Sequence, residues 1–418
     1  MLRVAHLGPP IARQGGPAGY LRQLRAAAPL GAAAGVLFPD EATPADRPSR
    51  GTSPLRRMVA MARRAVGAPP RFYRPSDDIL RADHGHVEAV MTSACSDVLA
   101  ATAASFDRAR RWGADVLFCH ESPAADHALA HRSPGQQVWL LLHAPMPLAL
   151  YLVWNWGVPE KDWRDVMAFP DVRRWTTWEL DVWRRVDRLI IPCAEAFDEL
   201  VRIAPAADCL RSRLTLLLSG ASAHRDPGPA LVTARRRQLG LPVETPIALF
   251  LGNAQPYRGL DALMAGAESL PNDVEGIVAV AGPQKDALTR SRRVRPLGPV
   301  TDVGGLLDAV DFVVNVNRFS LLDLSTIEAL ETAKPVLLHA VGGNRTFAQL
   351  GAGCVMMDDL SPDAIAGGLR RMFALRAGER DALGRQSRRC YEAHLTPALL
   401  WDRHAALYDT AAEPVGAR

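Results

Sequence analysis

Two series of short, apolar, β-branched runs, separated by stretches long enough for helices, restrict this chain to a layered α/β architecture. The first series is Val4–Leu7, Val36–Phe38, Val116–Cys119, Val138–Leu142 and Leu189–Pro192, with helix-length segments such as Gly19–Ala28 and His86–Arg111 in between. The second begins near Leu214 and continues through Ile247–Leu251, Ile277–Ala281, Phe312–Val316, Val336–His339 and Val355–Met357. Runs of three to five residues without polar alternation suit strands covered on both faces, and parallel neighbours need a crossover of about a dozen residues or more. The pattern predicts two doubly wound, Rossmann-like α/β domains, residues 1–218 and 219–396. The break falls in the turn-rich Ser219-Gly-Ala-Ser-Ala-His-Arg-Asp-Pro-Gly-Pro. A third piece, 397–418, has Leu399, Leu400, His404 and Leu407 at helical spacing over Pro397–Ala411.

At 418 residues and 48% hydrophobic, the chain can fill two cores of ordinary size. Lys+Arg 49 against Asp+Glu 45 leaves only +4, and no DNA- or RNA-module motif is present, so nucleic acid is not an expected partner. Cys95, Cys119, Cys193, Cys209, Cys354 and Cys390 are scattered, several of them in apolar runs, which predicts reduced thiols and a cytoplasmic protein. The amino terminus reads as a strand rather than a secretory leader, and no uninterrupted apolar run approaches ~18 residues.

Residues 311–343 carry the most chemistry. Val313–Val316 is a buried strand pattern, Ser325 is placed to cap a helix Thr326–Thr332, and Pro335–Leu338 restarts an extended segment. The intervening polar loop must lie at the carboxyl end of a parallel strand, where open α/β sheets bind ligands. Glu328 stands near the start of that helix, where a carboxylate either accepts hydrogen bonds from a ligand or simply complements the helix dipole.

This segment resembles the donor-sugar motif of retaining glycosyltransferases of family 4, which have the GT-B fold of two Rossmann-like domains facing a cleft. The motif is an acid, seven residues, a Glu, then a small-residue helix ending in Lys-Pro-Val. Glu328 matches the second acid, which in that family holds ribose hydroxyls. Ser320 stands where the first acid is expected, and Asp323 is the nearest substitute; Ser320, Asp323, Leu324 and Ser325 are the expected donor-side loop. Phe250-Leu-Gly252-Asn253-Ala-Gln-Pro-Tyr257-Arg258-Gly259-Leu260 is similar to the family's phosphate segment. Arg258 matches its second cation, and Asn253 replaces the first. An arginine serves there because its planar fork binds phosphate oxygens in pairs.

The same resemblance assigns Gly15 and Gly16, between the first strand and a helix, to the phosphates, and Leu297-Gly298-Pro299-Val300 to the nucleobase. Gly15 and Gly16 read equally as a tight turn. His143, ending a strand in Leu142-His143-Ala144-Pro145, matches a His beside the transferred sugar, although a strand-end His is also an ordinary core residue. His143, Arg258 and Glu328 are thus the expected catalytic set. His120, Glu121, Trp154 and Trp156 are the candidate acceptor wall, while Trp175, Trp178 and Trp183 recur at helical spacing and read as core. The last helix is expected to pack back on the first domain, as in the resembled fold.

The implied reaction is transfer of a hexosyl group from a nucleotide-sugar to a hydroxyl acceptor with retention. The acceptor could be a glycan, a glycolipid or a secondary metabolite. The nucleotide-sugar is a co-substrate; no further cofactor is expected, and with no Asp-X-Asp triplet and no zinc spacing, metal independence is expected. Eight arginines and no acid between Arg47 and Arg74, with Leu55, Met58, Val59, Ala62 and Val66 at helical spacing, suit a peripheral contact with an anionic membrane or a solvated basic helix. Two other readings stand beside the transferase: a GT-B protein that binds a nucleotide or a partner without turnover, and a nucleotide-sugar 2-epimerase.

Overall fold

The computed structural model describes residues 2–9, 11, 16–29, 35–39, 85–156, 161–225, 231–283 and 291–411. Gly15 and the basic stretch Arg47–Arg74 lie outside these. Twelve strands are described: β1 Val4–Leu7, β2 Val36–Leu37, β3 Val116–Cys119, β4 Gln137–Leu141, β5 Arg188–Ile191, β6 Leu214–Leu216, β7 Ile247–Leu251, β8 Ile277–Ala281, β9 Val294–Gly298, β10 Phe312–Asn315, β11 Val336–His339 and β12 Cys354–Met357. They form two six-stranded sheets, ordered β2-β1-β3-β4-β5-β6 and β12-β11-β10-β7-β8-β9, and the paired strands run parallel. Helices alternate with strands throughout, so the expected α/β class with two doubly wound sheets is the observed one.

The two orders reverse direction between β1 and β3 and between β7 and β10, the switch points at which loops part and leave a crevice. Leu214 departs from its expected place: β6 pairs with β5, Leu189 opposite Leu214, and closes the first sheet instead of opening the second.

By packing, the chain divides into two compact units, one of Met1–Arg22, Ala32–Leu141 and Leu148–Asp187, the other of Gln23–Gly31, Leu142–Pro147 and Arg188–Arg418. In the first, β1 and β3 are fully buried along their length, and Phe118, Trp139 and Leu140 fill the interior. Among the described residues, one helix, spanning Val87–Trp112, is long and apolar enough by length and composition to cross a membrane. Its apolarity comes from alanines interspersed with Ser, Thr and Asp97 rather than from an unbroken run, and its Glu88 accepts Trp175 Nε1 at 2.9 Å.

The second unit is built on β7, β8 and β10, whose Phe250, Val278, Val280, Phe312 and Val314 pack against Leu263, Ile365, Leu369 and Met372 of the covering helices. Each such side chain contributes about 1.5–3 kcal/mol over its exposed state. At the amino ends of β7 and β10 a half-buried carboxylate ties the sheet to two helices: Asp311 Oδ2 accepts Ile247 N at 2.7 Å and Arg236 Nη2 at 2.8 Å, and Oδ1 meets Arg380 Nη1. Helix starts follow local chemistry, as at Pro362–Phe373 and Pro397–Asp409, where Ser361 and Thr396 hydroxyls accept Ala364 N and Leu399 N at 3.2 Å ahead of a proline at the first helical position.

Candidate functional site

At the β7/β10 switch point of the second unit, a small open crevice is lined by Phe250, Leu251, Arg258, Asn315, Asn317 and Ser325, among others. Three local structures meet there. The first is a single 3-10 turn, Pro256–Arg258, that follows β7 and presents Arg258. Gly259 ends it with φ +71°, and a Cβ at that position would run into the carbonyl oxygen of Val316, so only glycine lets this turn approach the end of β10 so closely. Arg318 fixes the same approach from the other side. Its backbone N–H donates to Tyr257 O at 2.7 Å, and its guanidinium forks onto Asp261 at 2.9 and 2.7 Å.

The second structure is the end of β10, where Asn315-Val-Asn317 interrupts an apolar run with two buried amides. The third is the helix Leu324–Glu331, whose amino terminus faces the crevice through Ser325 and Thr326. That helix starts earlier than expected. Asp323 is the residue before it, and Ser325 lies in its first turn rather than capping it.

Asp323 holds the three structures together. Its Oδ2 receives Arg258 Nη1 at 2.9 Å, Asn315 Nδ2 at 2.9 Å and Asn317 Nδ2. Asn315 also reaches Thr326 Oγ1 at 3.0 Å, and Asn344 Nδ2 reaches His339 O at 3.0 Å. Ser320, at the place of the family's first acid, is 1% exposed; its hydroxyl lies 3.0 Å from Asn344 Oδ1, and its carbonyl accepts Gly343 N at 3.0 Å. A Cβ on Gly343 would strike the carbonyl of Leu321, and one on Gly342, at φ +42°, the carbonyl of Ser320, so both positions after β11 require glycine.

Glu328 lies further along the same helix, and no hydrogen-bond donor among the described residues reaches its carboxylate. Burial, and secondly the neighbouring Glu331, push its pKa up to about 8. Glu331 itself is anchored, accepting Ser222 Oγ and Ala223 N at 2.6 Å each. A half-buried acid with no internal donor can take hydrogen bonds from a ligand, whereas its anchored neighbour serves the chain. Lys334, the lysine of the Lys-Pro-Val turn, donates to the carbonyls of Asp308 and Val310 at 3.4 and 2.9 Å.

Gly252 follows β7, with Arg258 Nε 3.8 Å from where its Cβ would be, and Asn253 Oδ1 accepts Gln255 N at 3.4 Å. Gly298 ends β9 at φ +69° with open space beside it. His143 follows β4 and is half-buried; desolvation lowers its pKa to about 3, so its ring is neutral at physiological pH. Arg258, Asp323 and Ser325 are thus brought together, with Leu324 beginning the same helix. Asn315, Asn317, Thr326 and Asn344 are additions. The signal for the first two was the pair of amides in an otherwise apolar strand end.

The first unit places its candidates separately. Gly16 begins the helix Gly16–Ala27 and is exposed. His120 is buried at the end of β3, its Nε2 2.9 Å from His6 Nδ1. Glu121 precedes the helix Ser122–His131 without capping it. Trp154 is 3% exposed and donates through Nε1 to Lys161 O at 3.0 Å, and Trp156 ends the helix Leu148–Trp156. Among the described residues no group of three or more His, Cys, Asp or Glu is placed to hold a metal ion.

Residues 245–374 match the family model described as glycosyl transferases group 1. The chain is 29% identical over 284 residues to the D-inositol 3-phosphate glycosyltransferase of Xylanimonas cellulosilytica, 59% of this chain and 66% of that one. It is 29% identical over 294 residues to the enzyme of that name from Streptomyces griseus, 58% and 61% of the two chains. The matches therefore span less than two thirds of these relatives' own length. Among solved structures, sucrose-phosphate synthase from Thermosynechococcus elongatus superposes with TM-score 0.66 at 17% identity, covering 98% of this chain and 99% of the other. HepE of Anabaena in complex with UDP-glucose gives 0.62 at 12%, covering 98% and 100%. WaaG, a glycosyltransferase involved in lipopolysaccharide biosynthesis, gives 0.59 at 14%, covering 98% and 100%. The crevice at β7 and β10 therefore lies within a glycosyl transferases group 1 segment, in a chain with the fold of the GT-B glycosyltransferases.

Proposed function

We propose that the protein moves a hexosyl group from a nucleotide-sugar to a hydroxyl acceptor, with retention. The observation that carries this reading is the meeting of Arg258 and the amino terminus of Leu324–Glu331 at one switch-point crevice, with Glu328 on the same helix. A departing nucleoside diphosphate gains negative charge as the glycosidic bond breaks. A guanidinium and oriented backbone N–H groups are fixed before the reaction, so they stabilise that charge without reorganising, at a few kcal/mol per donor. In this reading Glu328 accepts the ribose hydroxyls and neutral His143 orients the sugar. The acceptor hydroxyl attacks on the face the diphosphate leaves and passes its proton to the departing diphosphate oxygen as the bond from the anomeric carbon to that oxygen breaks, so no protein nucleophile is required. Since Arg258 and the helix meet the diphosphate, we propose that turnover needs no metal and survives a chelator. The relatives' name makes D-inositol 3-phosphate one acceptor to try alongside glycans and small hydroxylated metabolites.

Purified protein would be screened with UDP-, GDP-, dTDP- and ADP-sugars by thermal shift, then assayed overnight for released nucleoside diphosphate, with Glu328→Ala as control. A nucleotide at about 100 times its dissociation constant raises stability by about 2.7 kcal/mol. A shift and release that both vanish in the variant support the reading; the anomer of a retained product is then read by NMR. No shift with any nucleotide sinks it. Stabilisation without release in the presence of acceptors supports instead a nucleotide-binding protein without turnover. One observation favours that second reading: the residue at the first-acid position, Ser320, is buried against Asn344. Peripheral membrane contact through Arg47–Arg74 is a separate proposal, tested by replacing Arg56, Arg57, Arg63 and Arg64 with Glu and sedimenting with anionic vesicles; unchanged binding removes it.

A further inference from the structure

The carboxylate of Asp323 sits where the charge of a phosphate would be wanted. As the residue immediately before Leu324–Glu331 it has the usual place of a helix cap, yet its side chain makes no cap hydrogen bond. It pairs instead with Arg258, which lines the crevice, at 2.9 Å, with both side chains largely out of water, 21% and 14% exposed. Two features that attract an anion, a guanidinium and an uncapped helix terminus, therefore face one crevice, and an internal anion already engages the first. Asn253 stands in place of a second cation, so Arg258 is the one basic residue between Gly252 and Leu260.

We propose that Asp323 is an internal competitor for Arg258, and that it sets the affinity for the nucleotide's diphosphate, which must take the guanidinium from it. This rests on the donor-site reading above and adds to it a residue that governs phosphate affinity by opposition. The alternative role for the same contact is orientation, with Asp323 holding Arg258 in the posture that phosphate needs. The two roles predict opposite signs.

Asp323→Asn separates them. The amide keeps an oxygen that can still accept Asn315 and Asn317, so the polar network has a partner, while the charge opposing phosphate is gone. With UDP, GDP and ADP as probes in isothermal titration, a competitor predicts that the variant binds the preferred nucleotide about tenfold more tightly, equivalent to ~1.4 kcal/mol. The gain should be larger for the diphosphate than for the corresponding nucleoside, and absent in an Arg258→Ala background, where nothing remains to compete for. A variant that binds the diphosphate equally or more weakly while wild type binds it overturns the proposal and leaves the donor site standing. If neither protein binds any of the three probes, the donor-site reading fails and the proposal with it.

Should the variant not fold, a crystal structure of wild-type protein with the bound diphosphate decides. Arg258 Nη1 transferred from Asp323 to a phosphate oxygen supports competition, and an intact pair beside bound phosphate overturns it.

Discussion

Glu328→Gln is the most informative single perturbation, because burial makes the sign of its effect unusual. The folded-state pKa is pushed up from 4.5 to about 8. Between these values the native protein keeps the proton and the unfolded chain has released it, so this group's contribution to stability falls as pH rises, opposite to a salt-bridged carboxylate. Integrating the two titrations from pH 5 to pH 7 gives a loss of about 2.5 kcal/mol from this residue alone. Glutamine has no proton to lose. The difference in unfolding free energy between wild type and variant should therefore move by about 2.5 kcal/mol over that interval in favour of glutamine, all other titrating groups cancelling.

Guanidinium unfolding of both proteins at the two pH values, followed by a signal from the second unit, measures it. The same proton reports on function. Ribose hydroxyls donate to a carboxylate, so nucleotide binding at pH 7 should release about 0.9 proton per site, read by titration calorimetry in buffers of different ionisation enthalpy. Stability curves that stay parallel between pH 5 and 7 would refute the burial argument, and binding without proton release would refute the carboxylate's role in binding.

Further outcomes follow from the packing. Gly259→Ala should destabilise the second unit by at least the ~1–2 kcal/mol of a left-handed residue, because its Cβ also meets the Val316 carbonyl, and it should weaken nucleotide binding by shifting Arg258. An alanine variant of full stability and affinity would show that the turn is not fixed. Asp311→Asn leaves the Arg236 and Arg380 guanidinium groups facing one another at the sheet's edge and should cost about 3 kcal/mol in denaturant unfolding; a loss under about 0.5 kcal/mol, the size of an ordinary surface substitution, would mean water replaces the carboxylate. Glu179, buried with a pKa near 7 while accepting Ser122 Oγ and Leu148 N at 2.6 Å each, should give the first unit a stability that falls from pH 5 to pH 7, abolished in Glu179→Gln.

The strand rhythm was legible because a parallel strand covered on both faces must be apolar along its length, and β7, β8, β10 and β11 read as such residue by residue. Arg258 follows β7 and Glu328 lies in the helix after β10, places that each strand–loop–helix unit implies, while their expected roles come from the resemblance alone. Leu214 was misplaced, since a three-residue run does not say which sheet it joins; its pairing with β5 is decided by what lies beside it. Local chemistry allows either Asp323 or Ser325 to precede this helix, and the structure starts it at Leu324, two residues ahead of the expected Thr326.

Periodicity and near neighbours were enough for the class of fold, most of the strands and the segment that bears the crevice; β9, with Arg295 and Pro296 exposed, lacks an apolar run and is a strand through its pairing with β8. Tertiary structure alone decided the state of the charges. Asp323 lies 65 positions from Arg258 in the chain, yet Gly259's close approach to Val316 sets the two carboxylate and guanidinium groups 2.9 Å apart. Glu328 is an ordinary acid in the sequence, and its pKa is pushed up to about 8 by the desolvation that folding brings and by Glu331. Pair formation and desolvation depend on distance and exposure in space, and neither quantity is a function of position along the chain.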